Sequence, residues 1–407
     1  MKLIPEDLPN EYRLLVACAR RVLTGQQLEQ AEAAITAGLD WDLLSRLARE
    51  HGLSPLLYSH LQRHFPLAVA SRQEHRLKLF ETGVRNLSLS AALLNILEAL
   101  RNAGIRALAY KGPTLAAALY GDIAWREISD LDILIDRPSF PAAREVLSGL
   151  GYQPSGNPPA SGHSRKQEDA RLRSDCECEF YSADGQVTVD LHWQITAPHL
   201  AQRFSFDDLW DRHRMVTLGQ KSVPTFSAED TALVLAVHGG KHLWDRLGWL
   251  ADFAESVRKG LDWPALLLRA RAARAERMLL LAFALAEDIM QIEIPCQFSS
   301  AIREDSVVQS VAATIAKRLF EDKHGKTNSD AEESSLRWLT LVQLADRRWD
   351  GIRSAGRFAL GFGLREWQAV RLPDSLFPFY RLVRMATVLR SIPAFCFPGR
   401  RASRNSG

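Results

Sequence analysis

Ser129-Asp130-Leu131-Asp132-Ile133-Leu134-Ile135 decides how this chain is read. The segment alternates acidic and apolar residues and then becomes wholly apolar, as a strand does on emerging from a core. Two-residue spacing on a strand puts the Asp130 and Asp132 carboxylates on one face. Like charges held that close repel, and burial adds to the cost, unless a cation sits between them. Hard oxygen ligands of this kind suit Mg²⁺, which is held by one or two carboxylates and by substrate phosphates.

Upstream, Ile105 to Tyr110 is a short apolar run after Gly104 and reads as a strand. Lys111-Gly112-Pro113-Thr114 follows, then an Ala-rich helix from Leu115 to Tyr120, with Pro113 suited to a first helical turn. A strand, a glycine and a helix start together make an anion-binding geometry. Lys111 can add a full charge and Arg126 a bidentate fork. The Gly-x-x-x-x-Gly-Lys-Ser/Thr pattern is absent, so this is not a Walker loop.

Downstream, Pro138 to Leu150 reads as a helix ending at Gly151, and residues 153–170 as a loop. Cys176 to Tyr181 and Val187 to Trp193 flank Ala183-Asp184-Gly185-Gln186, a hairpin signal. Asp190 lies on the second of these strands. If that strand neighbours the first, three carboxylates gather at one sheet edge, enough for a two-metal site. Alternation puts His192 on the face of Asp190, where it either borders the site or is a packed, hydrogen-bonded histidine.

Taken together, these segments resemble the polymerase-β-like nucleotidyltransferase superfamily, and more closely the bacterial uncharacterised nucleotidyltransferases. The resemblance rests on Leu108 to Leu115, on Leu119-Tyr120-Gly121-Asp122, on Arg126 to Ile135 and on Val189-Asp190-Leu191-His192-Trp193. A helical signature from His238 to Asp252 agrees with it. It implies an α+β fold: a small mixed-sheet polymerase-β-like nucleotidyltransferase core embedded in a mostly helical chain. It also implies metal binding by Asp130, Asp132 and Asp190, with Asp190 positioning or activating the attacking hydroxyl. Gly112 is then the glycine of the phosphate-binding turn. The implied cofactor is Mg²⁺ or Mn²⁺, and the partners are an NTP, with ATP binding expected but no base preference legible, and an unknown hydroxyl acceptor. The departure is Pro113, where the superfamily has Ser or Gly. Pro has no N–H to give a triphosphate, and Lys111, Thr114 or Arg126 would have to substitute. A degenerate protein that binds nucleotide or a partner without turnover is therefore the alternative, and a phosphotransferase releasing ADP is a third reading.

The flanks read as helices. Residues 1–104 show helical spacing, including a long segment from about Arg72 to Ala103 with Leu77, Val84, Leu87, Leu93, Ile96 and Leu100. After Pro198 the chain again reads as helical, over Ala228 to Lys241, Leu247 to Val257, Trp263 to Met290, Ser306 to Leu319 and Ser335 to Asp350, with Glu321 to Glu333 a polar linker. The expected divisions are a helical region at 1–104, the catalytic core at 105–195, a helical domain at 196–350 and a basic aromatic tail at 351–407, disordered from Arg400. His238 and His242 have metal-ligand spacing, but Gly239 stands where a zinc peptidase needs Glu. The resemblance implies that they and Asp252 brace the helical part against the catalytic unit or line the acceptor cleft.

Composition sets the outer bounds. Of 407 residues, 46% are apolar and 24% charged, which excludes a disordered or collagen-like chain. The net charge of +3 gives no indication of nucleic-acid wrapping. From Arg353 onward there are ten Arg, no Lys and two acids, so the tail carries +8 and residues 1–352 carry −5. That tail fits either an anionic surface or a core-packed helix with its basic residues in water. Five cysteines make no disulfide framework. With no apolar leader and no run long enough to span a bilayer, a cytoplasmic protein is expected.

Overall fold

The structure, a computed structural model, describes residues 2–69, 73–155, 170, 172–321, 330–360, 370, 372, 376 and 379–386. The chain forms two compact units: residues 1–158, 177–195 and 203–321 make one, and residues 159–176, 196–202 and 322–407 the other. The fold is α+β, with one small mixed sheet in an otherwise mostly helical chain.

The first unit opens with α1 (Asn10–Cys18), α2 (Gly25–Thr36), α3 (Trp41–Glu50), α4 (Ser54–His64) and α5 (Gln73–Asn102). Asp40 caps α3 by accepting from the backbone N–H groups of Asp42 and Leu43. The two halves of α5 differ. Leu93, Ile96 and Leu100 are buried, whereas Leu77, Val84 and Leu87 are exposed in the described structure. Helical spacing thus identifies the helix but not how much of it is covered.

The sheet contains β1 (Ala107–Ala109), β2 (Leu131–Ile135), β3 (Gln153–Pro154), β4 (Glu177–Tyr181) and β5 (Thr188–His192). Helix α6 (Gly112–Tyr120) joins β1 to β2, and α7 (Phe140–Gly149) leads from β2 to β3. Strand order is β1-β2-β5-β4-β3. Only the β2–β5 pair is parallel. A parallel pair needs a long crossover, which α7, β3 and β4 supply. Every residue of β2 is buried, as a central strand covered on both faces requires. Leu134, on the face of Asp132, packs with Leu108, Tyr110, Phe226 and Val234.

After β5 come α8 (Phe206–Asp211) and a separate hairpin, β6 (Arg214–Leu218) with β7 (Lys221–Thr225). This corrects the helical reading after Pro198. Gly219, at φ +62°, makes the turn, and Val216-Leu218 and Val223 alternate with polar residues on either side of it.

The unit closes with α9 (Ala228–Lys241), α10 (Leu247–Arg258), α11 (Trp263–Ala272), α12 (Glu276–Ile289), α13 (Cys296–Glu304) and α14 (Ser306–Leu319). Trp263 to Met290 is two helices rather than one, broken at Arg274, which takes a left-handed φ of +56°. In the second unit, α15 (Asp330–Gln343) and α16 (Arg348–Leu360) replace the one helix expected there. Tyr380 of that unit is fully buried, and its hydroxyl donates to Val370 O at 3.0 Å. The loop expected at 153–170, the linker after Glu321 and the final residues from Arg400 fall largely or wholly outside the described residues. No helix among those described is long and apolar enough to cross a membrane.

Candidate active site

The parallel register of β2 and β5 sets Asp132 opposite Asp190 and Leu134 opposite His192. Directly paired residues of neighbouring strands share a face, with the strands roughly 4.8 Å apart. Asp132, Asp190 and His192 each offer one ligand atom, and those atoms lie within 4.8 Å of one another. His192 Nε2 lies 3.2 Å from Asp132 Oδ1. The other carboxylate oxygen, Asp132 Oδ2, is buried and has no hydrogen-bond partner among the described residues. A buried carboxylate oxygen left unpaired is costly, and two carboxylates and an imidazole within ligating distance are a donor set that fits a divalent cation.

Electrostatics separate the members of this cluster. Burial pushes Asp132 up, but the positive charges and hydrogen bonds of Lys111 and His192 outweigh it and hold the carboxyl below the ordinary range. Burial and the charge of Asp132 push Asp190 up to about 7. Burial lowers His192, yet its contacts with Asp132 and Glu177 win and raise it to about 9. His192 Nδ1 is 3.0 Å from Glu177 Oε2. The bond from His192 drives Glu177 down to about 2. Lys111 and His192 thus set positive charge against these carboxylates.

Asp130 lies one residue before β2. It stands outside the three-ligand group but close enough to feel it: burial and the charge of Asp132 both raise its carboxyl. Its Oδ1 accepts from Ser129 Oγ at 2.9 Å. Lys111, at the start of α6, bridges two elements. Its Nζ donates to Asp132 Oδ1 at 3.2 Å and lies 3.2 Å from His238 Nδ1 on α9. Gly112 has a left-handed φ of +56°, and a Cβ there would meet the Asp130 carbonyl at 3.0 Å. Both facts require glycine. Thr114 is fully buried, and its Oγ1 has no hydrogen-bond partner among the described residues.

Arg126 is held elsewhere. Its Nε donates to Asp252 Oδ2 at 2.9 Å, while Tyr120 Oη donates to Asp252 Oδ1 at 2.8 Å. Asp252 therefore ties the end of α6 and the approach to β2 onto α10. Asn86 of α5 fixes the same connection, donating to Ile123 O at 2.7 Å and Arg126 O at 2.8 Å.

Behind Lys111, α9 ends in a strained turn. Leu243 and Trp244 take φ of 53° and 50°, a costly conformation for bulky residues. The turn swings the Trp244 ring over Gly239, where an added Cβ would sit 2.4 Å from it. That is the physical reason for glycine beside His238, and it leaves His238, His242 and Trp249 in mutual ring contact at 4.7, 5.1 and 5.4 Å.

A nucleotidyltransferase family model, described as uncharacterised nucleotidyltransferase, matches residues 37–291, from just before α3 to just beyond α12. The chain belongs to this nucleotidyltransferase family. The matched span contains all the site residues named above. A comparison with curated proteins found no match. The family and the cluster together support nucleotidyltransferase activity in general and a metal-binding role for the cluster.

For this nucleotidyltransferase, the sequence pattern leaves open whether the strands of Asp132 and Asp190 are neighbours, and the β2–β5 pairing brings the two residues together. The sequence pattern misses Glu177 entirely. The register with His192 that positions it is visible only in the three-dimensional pairing of β4 and β5. His192 has both properties weighed for it: it is packed and hydrogen-bonded, and it is one of the potential ligands.

Proposed function

We propose that this protein is a divalent-metal-dependent nucleotidyltransferase of the polymerase-β-like superfamily. It would transfer a nucleoside monophosphate from an NTP to a hydroxyl acceptor and release pyrophosphate. The observation that carries this reading is the pairing of Asp132 with Asp190, beside a buried Asp132 oxygen that has no hydrogen-bond partner among the described residues. Asp130, Asp132 and Asp190 supply carboxylate ligands for Mg²⁺ or Mn²⁺, and His192 supplies a nitrogen. When bound, the ion lowers the pKa of the acceptor hydroxyl and neutralises charge on the leaving group. The acceptor oxygen attacks the α-phosphorus in line, the bond to the bridging oxygen breaks, and pyrophosphate leaves. Asp190 orients the hydroxyl and takes its proton. Lys111, the backbone at Gly112 and the start of α6 face the phosphates. Lys111, which donates to Asp132 Oδ1, would exchange that bond for one to a phosphate oxygen.

The test is incubation with the four α-³²P-labelled NTPs, Mg²⁺ or Mn²⁺ and a cell extract. Pyrophosphate and a labelled acceptor are expected with the wild-type chain and not with Asp132→Asn. Release of ADP with no α-label transferred would identify a phosphotransferase instead.

One observation favours the second reading, nucleotide binding without turnover. Of the groups expected at the phosphates, Arg126 is engaged by Asp252 and Lys111 by Asp132, and Pro113 has no N–H. Mg²⁺-dependent NTP binding with no pyrophosphate from any acceptor would establish that reading.

A further inference from the structure

The two sides of the cluster differ in charge. On the β4 side stand Glu177 and Glu179, paired in register with His192 and Asp190. On the α9–α10 side a run of cationic and aromatic groups leads away from the cluster, and the acids there are engaged: Asp252 by Arg126 at 2.9 Å, and Asp245 within 3.9 Å of Arg318. Lys111 Nζ touches His238; the His238 ring meets His242 and Trp249; and the guanidinium of Arg246 lies 5.7 Å from the centre of the Trp249 ring. His238 is neutral, since burial and the charge of Lys111 hold it well below its usual range. Glu127 feels the charges of Arg246, Arg126, Arg85 and Arg49. Arg246 is exposed and Trp249 half-buried. The place of this side is fixed by backbone: Leu247 N–H and Gly248 N–H, at the start of α10, donate to His51 Nδ1 at 3.3 Å and to His51 O at 2.9 Å.

We infer that the strip running from Lys111 through His238 and His242 to Trp249 and Arg246 is the nucleotide platform, with the nucleobase stacked at Trp249 and Arg246. The inference rests on the proposed transfer reaction and specifies its donor side. A ligand that is anionic at one end and a flat ring at the other matches cations that flank aromatic rings. The acidic β4 side would repel a triphosphate and is left for the acceptor. Stacking is tolerant of base identity because every base has a π-face. The strip therefore selects a nucleotide without selecting which one.

Calorimetry on the full chain with Mg²⁺ tests this, using α,β-methylene analogues of ATP, GTP, CTP and UTP and inorganic tripolyphosphate. The four analogues should bind the wild type with affinities within about threefold of one another. Trp249→Ala should weaken all four by roughly five- to a hundredfold and leave tripolyphosphate unchanged. Trp249→Phe should restore binding. Trp249→Leu keeps bulk without a ring, so it should melt like the wild type yet bind as weakly as Trp249→Ala. Unchanged analogue binding by Trp249→Leu, equal losses of analogue and tripolyphosphate, or a strong preference for one base would overturn the platform while leaving the transfer reaction standing. A wild type that binds neither the analogues nor tripolyphosphate would overturn both.

Discussion

Asp132 and Asp190 sit side by side on two parallel strands, yet their carboxyls are pushed in opposite directions, Asp132 down and Asp190 up to about 7. The difference lies in their partners. Asp132 receives Lys111 and His192 on one oxygen, whereas Asp190 faces the charge of Asp132 from a partly buried position. A pair arranged this way keeps one carboxylate permanently ionised and holds the other near the point where it can take up or release a proton at neutral pH.

Asp190 should therefore cost stability in the metal-free protein. Its folded pKa lies above its unfolded value near 3.9, so the folded chain holds a proton that the unfolded chain has lost. Stability from this group is greatest below about pH 4 and falls as pH rises toward 7. Asp190→Asn removes that dependence. In metal-free buffer at pH 7.5 it should stabilise the protein by about 2 kcal/mol, after discounting for partial exposure, and abolish transfer. Chemical denaturation with and without EDTA checks the first outcome; a loss of stability would show that Asp190 is held by a partner other than charge repulsion.

Divalent metal should stabilise the wild type. An ion that binds the folded state alone, at a hundred times its dissociation constant, adds about 2.7 kcal/mol. Melting curves with Mg²⁺ or Mn²⁺ should shift upward for the wild type and stay fixed for Asp132→Asn. That variant also leaves Lys111 and His192 without the carboxylate they share, so its metal-free melt should fall below that of the wild type. A metal shift retained in Asp132→Asn would remove Asp132 from the ligand set.

Gly112→Ala probes the turn between β1 and α6. The left-handed φ costs a residue with a Cβ about 1–2 kcal/mol, and the new methyl would press on the Asp130 carbonyl at 3.0 Å. Loss of stability of that order is expected, together with a larger loss of turnover, because the displaced carbonyl belongs to the residue leading into β2. If turnover falls no more than stability explains, the turn is structural only.

What could be read in advance followed locality. The strand with Asp132, the hairpin with Asp190 and the helix after Gly112 were legible because alternation and turn residues are local signals. The two-residue spacing puts Asp130 on the strand, whereas it lies one residue before it. The partners of Arg126 and His192 were not legible. Asp252 lies 126 residues beyond Arg126, and Glu177 meets His192 only through strand register. The hairpin from Arg214 to Thr225 was hidden by its Lys, Arg and Pro content, since half of its residues face solvent and dilute the apolar signal.

His60 gives a pH signature that is independent of the candidate site. It is 1% exposed on α4, its Nε2 lies 2.7 Å from Arg20 O, and burial lowers it to about 4. Its unfolded value is about 6.5. Between those two values the unfolded chain binds a proton that the folded chain refuses, so stability falls as pH drops from about 6.5 to 4, by up to about 3 kcal/mol. His60→Gln can still donate to the Arg20 carbonyl and has no proton to gain. It should melt near the wild type at pH 7.5 and lose less stability on acidification to pH 5. Urea unfolding at both pH values measures the difference; parallel losses in the two proteins would mean that His60 charges freely within the fold.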